Sequence, residues 1–242
     1  MIRVFVFKPS LAGTPNPGPF CIKLETALRL SGVAYETSYT TNPAQGPKLK
    51  VPFAEIDGKR MGDSTLILER VKSLTGNDLD ARLTPSERGE SHVLQRMIEE
   101  RLYFILLYAR WMEDANWAVI KELFFGSMPL PLRLLVPRLA RKSVRKTLAS
   151  QGLGRHTRDE IYAFGAADLK ALSDVLGDKL FFFGAEPSMA DASAYALLIS
   201  ILGPDLRHPL KDAALTHPNL IAYTERMGET FARRGRVLAV AA

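Results

Sequence analysis

The strand-forming patterns of this chain all lie within its first 62 residues, and every later segment is patterned as helix. In the first part, three short runs contain β-branched or aromatic residues, and a fourth strand is expected after the hairpin turn signal Asp57-Gly58. With two amphipathic helical patterns they give the order β-α-β-β-β-α. Strands segregated from helices in this way indicate two modules rather than one repeating α/β sheet. The sequence therefore predicts an α+β protein, with a mixed module at residues 1–76 and an all-helical module at 84–242. The strands are expected at 2–7, 35–39, 51–57 and 59–62, and the first two helices at 20–31 and 64–74.

Start signals divide the helical module into separate helices. Thr84 and Glu87 have the spacing of a capping box, and the pattern that follows predicts one helix that runs to about Trp117. Ser188 and Asp191 repeat that spacing, so we expect Asp191 to stabilise a helix start and to take no part in chemistry. Further helices are expected at 157–176, 188–202 and 217–233.

The positive charge of the chain is concentrated in one window. The net charge is +6, and residues 121–150 contain seven basic residues and one acidic residue. The rest of the chain is therefore neutral, which argues against a diffusely basic nucleic-acid-binding protein. Apolar residues are interspersed with the cations of this window. That composition fits an interfacial helix on an anionic membrane surface, and it also fits a plain helix with an apolar core face and a solvated basic face.

Cysteine and histidine content limits the chemistry that the chain can perform. Cys21 is the single cysteine, which excludes an intrachain disulfide and a zinc site built on several thiolates. The four histidines have no metal-ligand spacing, so no metal site is expected. No apolar run is long enough for a signal peptide or a membrane-spanning helix. From these features we expect a cytoplasmic protein in a reducing compartment.

Three motifs carry a resemblance to a known family. They are the Val51-Pro52 pair at the start of the third strand, the Asp63-Ser64 pair before the second helix, and the segment 183–192, which ends just after a capping Asp. In this order the motifs resemble those of the glutathione transferase superfamily. The resemblance implies a thioredoxin-like first module with a cis peptide bond before Pro52. Similarity to the failed-axon-connections and metaxin-like branch of that superfamily lies in the stretches 19–25, 50–53 and 152–156.

The resemblance also implies a glutathione site in the first module. Ser64 is expected to donate a hydrogen bond to the γ-glutamyl carboxylate at a helix N-terminus, where backbone N–H groups and the helix dipole favour an anion. Asp63 is placed for the ammonium group, and the Val51 backbone for the cysteinyl group. Lys48 and Lys50 are candidates for binding the glycyl carboxylate. The alternative for Ser64 is a simple helix cap, and for the lysines a solvated strand edge.

Activation of the glutathione thiol is where the sequence departs from the family pattern. Some transferases use a tyrosine near the end of the first strand, but residues 4–7 carry no hydroxyl, and others use Ser or Cys at the position of Gly18. Cys21 is either a buried first-turn residue or a reactive thiol whose pKa the helix N-terminus lowers. These departures predict only weak conjugation. The groups left to assist it are Cys21 or, in the first loop, Ser10, Thr14 or Asn16.

The second substrate is expected to be apolar. Tyr103, Leu107 and Trp111 share one face of a predicted helix, and Tyr108 lies on the neighbouring face. In the superfamily the second substrate lies between the first loop and the helical domain, which makes these residues and Leu11 candidates for its pocket. The alternative is that the aromatic stripe belongs to the core.

Three functions remain open from the sequence. The first is a glutathione transferase-like enzyme that conjugates glutathione, as its co-substrate, to a small apolar electrophile. The second is a thiol-disulfide oxidoreductase that works through Cys21. The third is a non-catalytic adaptor on a transferase scaffold, as the metaxin resemblance permits. The resemblance also implies a homodimer.

Overall fold

The first module is a four-stranded sheet covered by two helices, as a computed structural model that describes residues 1–234 shows. The strand order is β2-β1-β3-β4, with β1 parallel to β2 and antiparallel to β3. Both helices share one hydrophobic core with the sheet, in which Val4, Leu24 and Ile67 are fully buried. The predicted strands and helices are confirmed. They are β1 (Ile2–Val6), α1 (Pro19–Leu30), β2 (Glu36–Tyr39), β3 (Phe53–Ile56), β4 (Lys59–Gly62) and α2 (Ser64–Thr75).

The second module is built from helices alone within the described residues. A π-helical turn (Ile98–Leu102) joins α3 to α4, and such turns are frequent at functional sites. No helix in the range 1–234 is long and apolar enough to cross a membrane. The helices are α3 (Pro85–Met97), α4 (Tyr103–Trp111), α5 (Asp114–Phe125), α6 (Leu132–Gln151), α7 (Arg158–Leu176), α8 (Met189–Leu202), α9 (Pro209–Leu215) and α10 (Pro218–Arg233).

The prediction of one helix from Thr84 to Trp117 is wrong, because the chain turns at Met112. The reason lies on α6, where the Arg141 guanidinium donates hydrogen bonds to the backbone carbonyls of Trp111 at 2.8 Å and Met112 at 2.9 Å. These are carbonyls that a helix end leaves without an intrahelical partner. A cation about thirty positions away in the sequence therefore stabilises the end of α4, and α5 begins in a new direction.

The two modules meet where α1 packs against α8, a helix that is buried along most of its length. Asp191 caps α8, as predicted. Its carboxylate accepts hydrogen bonds from the Ser188 hydroxyl at 2.7 Å, the Phe182 backbone N–H at 3.0 Å and the Tyr223 hydroxyl at 3.0 Å. These bonds fix α8 in the core, and with it the surface on which α1 rests.

Candidate active site

A polar cavity of about 260 Å³ opens between the two modules, at the edge of the sheet where β3 and α2 begin. Cationic and anionic side chains both line it, which suits a peptide that carries both kinds of charge. The helical module contributes the π-helical turn and the first turn of α4 to the opposite wall. Among its lining residues are those that the sequence predicts for glutathione: Lys48, Lys50, Val51, Pro52, Asp63 and Ser64.

The segment before β3 presents a free backbone edge to the cavity. The Val51-Pro52 peptide bond is cis, as the family resemblance implies. Within residues 1–234 neither the N–H nor the carbonyl of Val51 forms a hydrogen bond with another residue. Backbone polar groups are almost always paired in folded proteins, so this edge is available to pair with the backbone of a bound peptide.

Asp63, rather than Ser64, caps α2. Its Oδ1 atom accepts hydrogen bonds from the backbone N–H groups of Thr65 at 3.0 Å and Leu66 at 3.2 Å. The φ angle of Asp63 is +86°, a conformation that costs a non-glycine residue about 1–3 kcal/mol and that clusters at functional sites. The alternative in which Ser64 merely caps its helix is therefore wrong. The buried Ser64 side chain lines the cavity, and its hydroxyl bonds no other residue of the described chain.

A buried ion pair lies behind the wall of the polar cavity, which Glu99 lines, and sequence reasoning missed it. The Lys23 ammonium on α1 lies 2.7 Å from Glu99 Oε1 in the π-helical turn and donates a hydrogen bond to Thr65 at 3.0 Å. Glu99 also accepts from the Ser193 hydroxyl on α8 and from Arg96. Burial lowers the pKa of Lys23, and the Glu99 carboxylate opposes that shift. The sequence feature that could have indicated this ion pair is a lysine within the apolar run of α1.

A second, apolar cavity of about 570 Å³ lies beside the first and is open to solvent. It is lined by α4, α5, α6, the end of β1 with the first loop, and the segment 41–43 after β2. Tyr103, Leu107 and Trp111 line it together, as the helical spacing predicts. Phe124 and Phe125 complete an aromatic wall around Trp111. The sequence did not single out these phenylalanines, because the turn that brings α5 back over α4 depends on α6.

Two residues predicted for the apolar pocket lie elsewhere. Tyr108 points to the other side of α4 and packs edge-on against Tyr162, with 6.0 Å between the ring centroids. Leu11 is buried within the first loop and lines neither cavity. The two corrections have different causes. Tyr108 lies on a face of α4 that contacts α7, whereas Leu11 is buried by the packing of the first loop.

The first loop is tied down by its own hydrogen bonds, and its predicted donors face neither cavity. The Asn16 side chain donates to the Phe7 carbonyl at 2.6 Å and accepts from the Gly18 N–H at 2.9 Å. Ser10 and Thr14 donate to backbone carbonyls of the loop. These side chains hold the entry to α1 in place, and this geometry supports a structural role for them.

Cys21 is fully buried, which opposes its use as a nucleophile. Burial is the main cause that raises the pKa of its thiol, so the lowered pKa that a reactive thiolate requires is not found. The side chain belongs to the core of the first module, with Val6 and Leu24. Of the two alternatives for Cys21, the structure favours the buried first-turn residue.

Arg110 is a buried cation in the wall of the apolar cavity. Its guanidinium donates to the carbonyls of Pro17 at 2.7 Å and Ser200 at 2.8 Å, while Nε has no partner in the range 1–234. Burial lowers the pKa of Arg110 to about 10, so it remains charged at neutral pH. It fastens the first loop to α4 and α8, and it brings a positive charge to an otherwise apolar pocket.

Tyr103 is shared by the two cavities. It lines both the polar and the apolar space, and its hydroxyl forms no hydrogen bond within the described residues. Burial raises the pKa of the phenol, and the Arg110 guanidinium opposes the shift. The hydroxyl is therefore protonated at neutral pH and can donate a hydrogen bond to a group held where the cavities meet. Across residues 1–234 no cluster of three or more metal-ligating side chains occurs.

The sheet topology, the helical module and the two adjoining cavities define a protein of the glutathione transferase class. A family model for the glutathione S-transferase N-terminal domain matches residues 19–116, and one for the glutathione S-transferase C-terminal domain matches residues 165–227. The chain belongs to the glutathione transferase family.

Curated relatives agree with this assignment and with the predicted branch. The isoprene-epoxide–glutathione S-transferase of Rhodococcus sp. is 31% identical over 96% of this chain and 99% of its own length. Failed axon connections of Drosophila melanogaster is 34% identical over 88% of this chain, which spans 54% of that protein. Metaxin-2 of Homo sapiens is 26% identical over 76% of this chain and 71% of its own.

Solved structures show the same fold. A glutathione S-transferase of Methylobacterium radiotolerans, in complex with glutathione sulfonate, superposes with a TM-score of 0.58 at 17% identity. The match covers 99% of this chain and 97% of that one.

Proposed function

We propose that this protein binds glutathione in the polar cavity and conjugates it, slowly, to a small apolar electrophile in the adjoining cavity. The observation that carries the proposal is the position of Tyr103. It lies where a thiol from one cavity meets an electrophile from the other, and its hydroxyl has no partner among residues 1–234.

The polar cavity offers a partner for each part of glutathione. The Ser64 hydroxyl and the Ser64 backbone N–H, which the Asp63 cap does not use, bind the γ-glutamyl carboxylate at the start of α2. The Asp63 carboxylate binds the ammonium, and the Val51 backbone pairs with the cysteinyl residue. Lys48 and Lys50 provide positive charge for the glycyl carboxylate.

Tyr103 acts as the hydrogen-bond donor that activates the glutathione thiol. In this chain, the positions that carry a hydroxyl or thiol for this purpose in other transferases carry neither. Its O–H donates a hydrogen bond to the glutathione sulfur, which favours the thiolate and releases the thiol proton to solvent. The thiolate then forms a carbon–sulfur bond, and the bond from that carbon to its leaving group breaks with its electron pair. Because one hydrogen bond provides only part of the usual activation, turnover is slow.

The electrophile that fits best is a small epoxide or a similar apolar molecule. The pocket wall is aromatic and aliphatic, with Arg110 as its buried cation. Ring opening puts negative charge on the epoxide oxygen, and a nearby cation stabilises such charge until the oxygen takes a proton from solvent. The name of the Rhodococcus relative, at 31% identity, supports this substrate class.

Steady-state kinetics with glutathione and a small aliphatic epoxide test the proposal. We expect Tyr103→Phe to lower kcat by about 10- to 100-fold, with little change in glutathione affinity, because a hydrogen bond to a charged group contributes about 1.5–3 kcal/mol. Tyr108→Phe is the matched control, since Tyr108 packs against Tyr162, and it keeps wild-type turnover.

Two results would overturn the proposal. Equal turnover in wild type and Tyr103→Phe would remove Tyr103 from the mechanism. Glutathione binding without turnover of any electrophile would favour the adaptor on a transferase scaffold. The Cys21-dependent oxidoreductase has less support because the thiol is buried.

On the basis of family membership we further propose that the protein is a cytoplasmic homodimer. Light scattering would check the oligomeric state, and cell fractionation would check the compartment.

A further inference from the structure

The turn between α5 and α6, with the first turns of α6, exposes a cluster of leucines. Leu134, Leu135 and Leu139 are 58%, 55% and 56% exposed. Leu130 is 71% exposed and Leu132 is 48% exposed. Five large apolar side chains thus reach solvent within ten residues. We call this set the leucine corner.

The inner face of α6 is complete without the leucine corner. Val136 and Ala140 line the apolar cavity, and Leu148 is buried in the core of the helical module. A helix on the surface of a globular protein carries polar residues opposite such a stripe. The first turns of α6 therefore differ from a plain helix with an apolar core face and a solvated basic face, because leucines also occupy their outer face.

A belt of cations follows the leucine corner along α6. Its members are exposed, and within residues 1–234 none of them forms an ion pair. No aspartate or glutamate occurs anywhere from residue 123 to residue 158. The belt therefore presents uncompensated positive charge beside the exposed leucines. It consists of Arg138, Lys142, Arg145 and Lys146.

We propose that the leucine corner and the cation belt together form a docking surface for an anionic lipid membrane. In this arrangement the leucines enter the boundary between headgroups and acyl chains, and the cations remain at the headgroups. Pro129 and Pro131 lie in the corner and have no backbone N–H, so two fewer donors lose water on insertion.

The combination of the two features selects a lipid surface over other occupants. A soluble polyanion would contact the belt and leave the leucines in water. A second copy of the chain would bring belts of like charge together, which opposes association. An anionic membrane satisfies the leucines and the cations at the same time.

Docking would place the wall of the apolar cavity against the membrane. Met128, Val136 and Ala140 line the cavity from the inner side of the corner. Apolar electrophiles concentrate in lipid, so the cavity would receive them there. This consequence rests on the proposed function, whereas the docking itself needs neither glutathione nor turnover.

Co-sedimentation with vesicles tests the docking in the absence of glutathione. The full chain is mixed with phosphatidylcholine vesicles that contain phosphatidylglycerol, or with phosphatidylcholine alone, at low and high salt. One variant removes three leucines (Leu134→Ser, Leu135→Ser, Leu139→Ser), and a second removes three cations (Arg138→Gln, Lys142→Gln, Arg145→Gln). The matched control replaces three leucines that are exposed elsewhere: Leu74→Ser, Leu180→Ser and Leu215→Ser.

We expect wild type to pellet with the anionic vesicles at low salt and to be released at high salt. Each triple variant should bind at least about tenfold more weakly, and the control should bind like wild type. Circular dichroism establishes that all variants are folded. The proposal is overturned if wild type stays in solution or if the leucine variant pellets like wild type. It is also overturned if light scattering finds a wild-type dimer that the leucine variant dissociates.

Discussion

The polar and apolar cavities meet at Tyr103 but are built in different ways. The polar cavity rests on two short backbone segments, at Val51-Pro52 and Asp63-Ser64, whose conformation their own residues fix. The apolar cavity is lined mainly by the three helices α4, α5 and α6. Its shape depends on contacts between these helices, such as the contact of Arg141 with the end of α4. Substitutions in the polar cavity should therefore affect the binding of one ligand and act locally. Substitutions in the apolar cavity should also act through the packing of the helices around it.

The largest expected effect comes from the ion pair behind the wall of the polar cavity. Lys23→Met leaves the Glu99 carboxylate buried without its main cation, which should lower the free energy of unfolding by about 3–5 kcal/mol. Urea denaturation measures the loss. The double variant Lys23→Met, Glu99→Leu should recover most of it, because no uncompensated charge remains.

An exposed ion pair provides the control for that experiment. Lys170 pairs with Asp174 four residues along α7, and both side chains are more than half exposed. Lys170→Met should therefore change stability by less than about 0.5 kcal/mol. If Lys23→Met and Lys170→Met lose equal free energy of unfolding, burial of the Lys23–Glu99 ion pair between the two modules does not determine its contribution to stability.

The region behind the apolar cavity carries an acid-sensitive group. His208 caps α9 through Nδ1, and burial, with Arg110 and Lys211 nearby, lowers its pKa from 6.5 to about 4. The unfolded chain binds the proton more readily, so stability is complete above pH 6.5 and falls as the pH drops towards 4. The loss reaches about 3 kcal/mol at the acid end.

Denaturation at several pH values measures the His208 contribution. His208→Asn keeps a side chain that can cap α9 and removes the titration, so its stability should fall less steeply between about pH 6.5 and pH 4. If wild type and His208→Asn lose stability in parallel, the acid sensitivity belongs to other groups.

The smallest effect concerns the apolar cavity alone. Ala140→Phe projects a ring into it and should raise KM for the apolar electrophile by about tenfold, at a cost of about 1–3 kcal/mol in packing. Affinity for glutathione should not change, because Ala140 is not part of the polar cavity. Ser143→Phe, on the exposed side of α6, should behave like wild type. If Ala140→Phe also weakens glutathione binding, the two cavities are not independent.

The elements predicted correctly are those that local residues determine. The cap at Thr84 and the cap at Asp191 each depend on residues within a few positions, and both are confirmed. The cis bond before Pro52, which the family resemblance implies, is also confirmed. The role of Ser64 in glutathione binding rests on the family resemblance and stays a prediction, while the structure shows that Asp63 caps α2.

The features missed from the sequence depend on distant partners. The end of α4 at Trp111 needs Arg141, and the orientation of Tyr108 needs Tyr162 on α7. The short helix α9 was not predicted, since its cap is a histidine, an uncommon residue at that position. Burial of Leu11 likewise follows from how the first loop packs. Helical periodicity identifies which residues share a face but not which neighbour that face will meet.

Calorimetric titration of the protein with reduced glutathione tests the central claim most directly. We predict saturable binding at one site per chain, weakened by about tenfold or more in Ser64→Ala, because a hydrogen bond to a carboxylate contributes about 1.5–3 kcal/mol. Ser73→Ala, on the exposed side of the same helix, should bind like wild type. No heat of binding in wild type, or equal affinity in wild type and Ser64→Ala, would contradict a glutathione site at the start of α2.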